Sequence, residues 1–179
     1  MSTGRILNIP NILTLARIAL IPVFLAIAYW PPAIGIAEHH GGMMRHLILT
    51  AIFVLAAVTD WFDGYLARTL NQTSAFGRFL DPVADKLMVA AALIVLVLWQ
   101  PTISMAFAAI VIISREITVS ALREWMAELG ARTNVAVSTV GKYKTAFQMI
   151  AITVFLLNWQ PLELLAYALL YTAVILTLW

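Results

Sequence analysis

Six long apolar segments constrain the fold of this chain more than any other feature. They run approximately over Ile12–Trp30, His46–Leu70, Pro82–Trp99, Ile103–Met126, Val140–Trp159 and Leu162–Leu178. Most are close to the ~20 residues that a helix needs to cross a bilayer core about 30 Å thick. They lack the alternation of a membrane strand, and a helix satisfies its backbone polar groups internally. We therefore predict an all-α integral membrane protein with six transmembrane helices.

The composition excludes an ordinary soluble domain. Of the 179 residues, 63% are hydrophobic and only 11% are charged, whereas soluble domains carry about 25% charged residues. We expect a single membrane domain over residues 1–179. The chain has no cysteine, which excludes disulfides and thiolate metal sites. The last apolar segment ends at Trp179 without a polar or basic flank, so we expect a truncated C-terminus.

The basic residues indicate an orientation, because Lys and Arg accumulate in cytoplasmic connections. The connections near Gln100 and Gln160 carry neither residue type. The second and fourth connections are rich in both, namely Arg68, Arg78, Lys86, Arg123, Arg132, Lys142 and Lys144. With six spans, this pattern places both termini and the two basic connections in the cytoplasm. His39, His40 and His46 then fall near the outer side, where we expect a polar loop rather than a metal site.

The first segment leaves two alternatives open. The stretch Asn11–Ile21 is apolar apart from Thr14 and Arg17. It could form a short N-terminal interfacial helix that kinks at Pro22 into the first span. The other alternative is one continuous span with an off-centre proline.

A group of aspartates stands out against this apolar background. Two of them share a stripe of the second helix with small and basic residues, because Asp60, Asp63, Gly64, Ala67 and Arg68 repeat at three and four residues. Ionised groups are expensive inside a membrane, so acids gathered there call for a functional explanation. The small residues would let a flat base, a phosphate or another helix approach the backbone.

Two further aspartates open the third helix. Asp81 and Asp85 are four residues apart, and Pro82 suits a first helical turn. Gly77 falls in the connection, where it could turn the chain back toward the acids. If the second and third helices pack together, the four carboxylates converge and could hold two divalent ions about 4 Å apart. Oxygen ligands favour hard cations such as Mg²⁺ or Mn²⁺.

Two other roles for the acids are weaker. They could pair with Arg68, Arg78 and Lys86, but four aligned acids exceed what structural pairing requires. They could also line a cation pathway, as acids in membrane transporters do. Their position at the cytoplasmic ends of two helices instead favours a site at the membrane surface, open to a soluble and a lipid reactant.

The chain resembles a known family at all eight of these positions, which are Asp60, Asp63, Gly64, Ala67, Arg68, Gly77, Asp81 and Asp85. They match the signature of the CDP-alcohol phosphotransferases, six-helix membrane enzymes that move a phosphatidyl or similar group from a CDP-linked donor to an alcohol. Flanking segments are similar to bacterial members that make phosphatidylglycerophosphate, namely Asn8–Arg17, Thr59–Gly64, Ser114–Ile117, Ala121–Trp125 and Gly141–Lys144.

This resemblance implies the reactants and the roles of the site residues. The donor would be CDP-diacylglycerol, the acceptor sn-glycerol 3-phosphate and the leaving group CMP. Asp85 would be the general base for the acceptor hydroxyl. Two ions, Mg²⁺ or Mn²⁺, would be held by Asp60, Asp63, Asp81 and Asp85. The CDP pocket would comprise Asp60, Asp63, Gly64, Ala67, Arg68, Gly77 and Asp81. Because members of the family often form dimers, we expect a homodimer in the bacterial cytoplasmic membrane.

A set of basic residues further along the chain could bind the acceptor phosphate. Arg115 and Glu116 interrupt the fourth apolar run, and Arg123 lies eight residues later, about 80° around the same helix. Lys142 and Lys144 open the fifth helix. Together these cations could hold the phosphate of glycerol 3-phosphate. Alternatively, Arg115 pairs with Glu116 or with the aspartates, and the lysines are cytoplasmic anchors.

The acceptor is the least constrained part of this interpretation. Another alcohol, such as inositol phosphate, serine or an acylated glycerol, would suit the same signature. A transporter or a purely structural membrane protein is a further alternative, which predicts neither CMP release nor metal dependence. Membrane lipid is an expected partner and nucleic acid is not.

Overall fold

The computed structural model describes residues 9–29, 38–69, 75–129 and 139–178. These ranges contain helices and no strand, which confirms the predicted all-α class. The helices are α1 (Ile9–Tyr29), α2 (Glu38–Thr69), α3 (Ala75–Trp99), α4 (Ile103–Glu128), α5 (Thr139–Leu157) and α6 (Glu163–Leu178), and a 3₁₀ turn, Gln160–Leu162, precedes α6.

Several helices are suited to a membrane. Four described stretches are long and apolar enough to cross one: Asn11–Tyr29, Gly42–Asp60, Ile103–Met126 and Gln160–Leu178. A shorter apolar stretch, Tyr143–Leu157, lies in α5. Large apolar side chains are also widely exposed, with Ile103 at 91% and Leu164 at 83%. Exposed apolar surface on this scale fits contact with lipid. Four candidate membrane-spanning helices thus support the predicted multi-pass membrane protein, while the count of six spans and the orientation stay predictions.

The first two helices differ in extent from the sequence prediction. Helix α1 continues through Pro22, so no separate short helix ends there. Pro22 has no backbone N–H, so the helix lacks the hydrogen bond to the Ile18 carbonyl. The other backbone hydrogen bonds of the helix can still form. Helix α2 begins at Glu38 and therefore contains His39 and His40, so the polar loop that the sequence predicts there is wrong. Its 32 residues would span about 48 Å, more than the hydrocarbon core, so a polar first turn can lie outside the lipid.

Helix α3 also begins earlier than predicted. It starts at Ala75, so Gly77 lies within its first turn and not in the connection. Pro82 is the eighth residue of the helix, where it forfeits only the bond to the Arg78 carbonyl. In the sequence Pro82 suits a first helical turn, but a proline inside a membrane helix is also tolerated when neighbouring groups satisfy the freed carbonyl.

The chain forms two compact units, Met1–Val95 and Leu96–Trp179, whose boundary falls inside α3. In the first unit α1 packs against α2. The buried stripe of α1 is polar toward its N-terminus and apolar toward its C-terminus, comprising Asn11, Thr14, Arg17, Phe24 and Ala28. The buried residues of α2 include Leu49, Phe53 and Ala56. Helix α3 is more deeply enclosed, and its exposed large side chains, Leu87, Ile94 and Leu98, follow one narrow stripe.

In the second unit α6 packs against both α4 and α5. Two tyrosines of α6 find polar partners inside this unit. The Tyr171 hydroxyl donates to the Ser104 carbonyl at 3.2 Å, and the Tyr167 hydroxyl donates to Gln100 Oε1 at 3.4 Å. The Tyr167 ring also meets Phe155 edge to face, with 4.8 Å between centroids. These contacts satisfy the two hydroxyls and orient α6 against its neighbours.

A tight turn joins α5 to α6. Asn158 follows the last residue of α5 with φ at 53°, and its N–H donates to the Phe155 carbonyl at 3.1 Å. A left-handed residue after a helix is a common C-terminal cap, and Asn tolerates that conformation better than most residues. The Leu162 N–H then donates to the Trp159 carbonyl at 3.0 Å, which closes the 3₁₀ turn before α6.

Hydroxyl groups within the helices are largely satisfied locally. Several donate to the carbonyl four residues earlier in the same helix, namely Thr50, Thr59, Ser120, Thr145, Thr153 and Thr172. Thr102, which precedes α4, accepts the N–H of Met105 at 3.2 Å and caps that helix. In an apolar surrounding these local bonds allow polar side chains to persist without a second helix as partner.

Candidate active site

The structure places the first half of the acidic motif on one helix. Asp60, Asp63, Gly64, Ala67 and Arg68 all lie in the last ten residues of α2. At 100° per residue, they occupy one sector about 140° wide. The prediction that these residues share a helix stripe is therefore confirmed. The side chains from Asp63 to Arg68 lie outside the described part of the structure, so their roles stay predictions.

The second half of the motif forms a stripe of its own on α3. Because α3 begins at Ala75, Gly77, Asp81 and Asp85 all fall within it, at intervals of four residues. Each interval advances about 40°, so the three positions lie on one face over two turns. The side chain of Asp85 is partly buried, next to Ala84 at 0% exposure.

Both stripes lie beside the same connection of the chain. The α2 stripe is at the C-terminal end of its helix, the α3 stripe is near the N-terminal end, and residues 70–74 join the two. The convergence of all four carboxylates stays a prediction, because the side chains of Asp63 and Asp81 are outside the described part. Among the side chains that are described, no three His, Cys, Asp or Glu groups form a cluster.

Asp60 pairs with Arg17 of α1, a contact that the sequence does not predict. Arg17 Nη1 of α1 donates to Asp60 Oδ1 at 2.6 Å. The Arg17 side chain is 1% exposed, whereas the Asp60 side chain is 42% exposed. In the sequence, Arg17 stands out only as a charge within the apolar stretch Asn11–Ile21. Its position was nevertheless a signal, because a charge within an apolar run usually faces the protein interior and finds an acid there.

The carboxylates suit hard cations by their chemistry. Asp60 keeps an accessible carboxylate while one of its oxygens is held by Arg17. The motif supplies only oxygen donors, from two helices beside one connection, and such a set fits Mg²⁺ or Mn²⁺ better than softer metals. On these grounds the four aspartates fit a divalent metal site.

The basic residues predicted for the acceptor lie in the second unit. Arg115 and Arg123 are on α4, and Lys142 and Lys144 are on α5. Arg123 is exposed, and the Lys142 side chain is outside the described part. The roles of these four residues in binding stay predictions.

Glu116 brings two of these cations together. Lys144 Nζ donates to Glu116 Oε1, and Arg115 Nη1 lies 3.8 Å from the same oxygen. The Lys144 side chain is 6% exposed, and Gln148, one turn later on α5, is also buried. The pairing of Arg115 with Glu116, which we had kept as an alternative, is therefore present in the structure. Lys144 is neutralised by the same acid.

The comparisons with known proteins agree with this geometry. The profile of the family described as CDP-alcohol phosphatidyltransferase matches residues 7–179. A protein of Pectobacterium atrosepticum named CDP-diacylglycerol–glycerol-3-phosphate 3-phosphatidyltransferase is 49% identical over 175 residues, which cover 96% of this chain and 90% of the relative. A protein of the same name from Haemophilus influenzae is 50% identical over 173 residues, 96% of this chain and 88% of its own.

A third relative with that name, from Salmonella typhimurium, is 46% identical over 175 residues, with 96% of this chain and 90% of the relative covered. The matched region includes both helix stripes of the acidic motif as well as the basic residues of α4 and α5. The similarity is therefore not confined to a short motif but extends over almost the whole sequence. The chain belongs to the CDP-alcohol phosphatidyltransferase family.

Proposed function

We propose that this protein transfers the phosphatidyl group of CDP-diacylglycerol to sn-glycerol 3-phosphate and forms phosphatidylglycerophosphate and CMP. The observation that carries the proposal is the arrangement of the eight signature residues on two helix stripes beside one connection. Membership of the family supports a CDP-linked donor. The names of relatives with 46–50% identity support glycerol 3-phosphate as the acceptor.

Four carboxylates would hold the metal ions that this chemistry uses, namely Asp60, Asp63, Asp81 and Asp85. Two divalent ions, Mg²⁺ or Mn²⁺, would supply positive charge to the donor diphosphate and to the departing CMP. The small residues Gly64, Ala67 and Gly77 leave room for CDP close to the helix backbones. Arg68 offers a planar set of N–H donors for a phosphate of the donor.

Asp85 acts as the general base in this proposal. Its carboxylate accepts the proton of the acceptor hydroxyl while the hydroxyl oxygen attacks the phosphorus that carries diacylglycerol. The bond from that phosphorus to the CMP oxygen breaks, and CMP leaves with its electron pair. Partial burial of Asp85 on α3 supports this role, because it limits access of water as a competing nucleophile.

The acceptor phosphate would be held by basic residues of the second unit. Arg115 is the leading candidate, since its side chain is 33% exposed and it shares Glu116, 3.8 Å away, with the more closely paired Lys144. Arg123 is exposed on the same helix, and Lys142 precedes Lys144 on α5. Lys144 would have to share its charge between Glu116 and the phosphate.

We infer that the protein lies in the bacterial cytoplasmic membrane with six spans and works as a homodimer. The basic residues around the second and fourth connections support cytoplasmic positions for the active site and both termini. Such a site can receive a lipid donor from the bilayer and a soluble acceptor from the cytoplasm.

The experiment that tests this function measures CMP release by the purified protein in detergent. CDP-diacylglycerol is supplied with Mg²⁺ or Mn²⁺, and the alcohol is varied among glycerol 3-phosphate, inositol phosphate and serine. We expect CMP with glycerol 3-phosphate, its loss on chelation, and its recovery when either ion is restored. The variant Asp63→Asn should be inactive, whereas Glu128→Gln, which changes an exposed acid at the end of α4, should retain activity.

Two results would contradict the proposal in different ways. CMP formed only with another alcohol would leave the donor chemistry in place and reject the acceptor. No CMP with any alcohol would reject the enzyme and favour a transporter or a structural role.

A further inference from the structure

A buried arginine from a different helix lies against Asp60 of the acidic motif. Arg17 belongs to α1, outside the signature on α2 and α3, and is 2% exposed. Its Nη1 donates to Asp60 Oδ1 at 2.6 Å, a short charge-assisted hydrogen bond. Burying a guanidinium is costly, so a chain that keeps one here gains something that an apolar residue would not supply.

The packing of α1 on α2 fixes where this guanidinium lies. On α1, the buried Phe24 and Ala28 follow Arg17 by seven and eleven residues. On α2, the buried Phe53 and Leu49 precede Asp60 by the same two intervals. On each helix these positions share the side of the Arg17–Asp60 pair, because intervals of seven and eleven residues return to nearly the same face. The packing of α1 on α2 thus buries an apolar stretch beside the ion pair.

The pairing leaves Asp60 able to bind a second partner. Its side chain is 42% exposed although Oδ1 is engaged by Arg17. A carboxylate with one oxygen held by a buried donor has fewer rotamers open to it, and the exposed part of the Asp60 side chain leaves room for a second partner. Metal-binding carboxylates commonly have such a hydrogen-bonded partner behind them, and its loss typically costs 10–100-fold in metal affinity.

We propose that Arg17 is a positioning residue that orients Asp60 for the divalent metal ion. This inference rests on the proposed function, because it takes Asp60 as a metal ligand. Arg17 touches neither donor nor acceptor in this role and acts through Asp60. The opposite possibility is that Arg17 merely neutralises Asp60 and competes with the metal, in which case its removal would strengthen metal binding.

The experiment measures Mn²⁺ binding to the purified protein in detergent by electron paramagnetic resonance, without substrate. We expect Arg17→Gln to weaken Mn²⁺ binding about 10–100-fold. Arg17→Lys should recover part of the affinity, since it keeps the charge but loses the planar donor array. The control Arg45→Gln removes a partly buried arginine of α2 that is fifteen residues, about 22 Å along the helix, from Asp60, and should bind Mn²⁺ normally.

A second comparison tests whether Arg17 acts through Asp60. In an Asp60→Asn background, Arg17→Gln should cause no further loss of Mn²⁺ affinity. Unchanged or tighter binding by Arg17→Gln alone, with the wild-type protein binding Mn²⁺, would overturn the positioning role and leave the proposed function intact. No Mn²⁺ binding by the wild-type protein would instead reject the metal site itself and this inference with it.

Discussion

We predict that the two residues of the ion pair between Glu116 and Lys144 contribute unequally to the stability of the protein. Lys144 is almost fully buried, with 6% of its side chain exposed, whereas Glu116 is 24% exposed. Glu116 also has Arg115 at 3.8 Å as a second cation. Removing the acid therefore strands a buried ammonium, but removing the lysine leaves an acid with another partner and some access to solvent.

The expected cost follows from this asymmetry. Glu116→Gln should lower the free energy of unfolding by about 3–5 kcal/mol, the usual cost of leaving one buried charge without its partner. Lys144→Met should cost only about 1.5 kcal/mol, since it removes one charge-assisted hydrogen bond and keeps the apolar stem. The double variant Glu116→Gln/Lys144→Met should be more stable than Glu116→Gln alone, because no buried charge remains.

The assay is thermal unfolding of the three variants in the same detergent, followed by tryptophan fluorescence. For a chain of this length 1 kcal/mol corresponds to about 2–4 °C, so Glu116→Gln should lower the transition by roughly 10 °C. The reasoning would be refuted if the decrease in unfolding temperature of the double variant equalled the sum of the two single decreases. It would also be refuted if both single variants lost the same stability. Either result would mean that the pair is not a buried, coupled contact.

Three further changes test the site and the fold. Asp85→Asn should abolish CMP release, because the amide cannot accept the hydroxyl proton. Arg115→Gln should raise the KM for glycerol 3-phosphate about 10–100-fold, the effect of one lost charge-assisted bond, with little change for the lipid donor. Asn158→Ala should unfold about 1 kcal/mol more easily than Asn158→Gly, since φ at 53° disfavours a Cβ.

Each of these three predictions has a result that would contradict it. Near-normal turnover of Asp85→Asn would remove Asp85 from the role of base. Equal KM increases for both substrates would place Arg115 in general packing, and Arg45→Gln serves as the matched arginine control. If the alanine and glycine variants of Asn158 unfold at the same temperature, the left-handed turn is not the constraint that we describe.

The periodicity of the sequence correctly predicted which residues share one face of a helix. The stripe from Asp60 to Arg68 could be read from intervals of three and four, because the helix repeat alone sets it. The start of α3 could not be read in this way. Pro82 is compatible with a first turn and with an interior position that loses one hydrogen bond, and local sequence does not distinguish them.

Contacts between residues of different helices were harder to predict than the residues that share one face of a helix. Arg17 and Asp60 are 43 residues apart. The spacing of residues within α1 or α2 does not predict that these two side chains pair. The same holds for Lys144, for which the sequence suggested phosphate binding or a cytoplasmic anchor but not its pairing with Glu116. Such pairings depend on how the helices pack, and the order of charges along the chain does not determine that.

The tight turn at Asn158 has a consequence for how the protein is made. The apolar stretch of α5, Tyr143–Leu157, is shorter than the ~20 residues of an independent span, and this helix also carries Lys144 and Gln148. Helix α6 follows within a few residues and is long and apolar enough to span. We therefore expect the translocon to release α5 and α6 into the bilayer as one hairpin, so that α5 enters the lipid only after synthesis of α6.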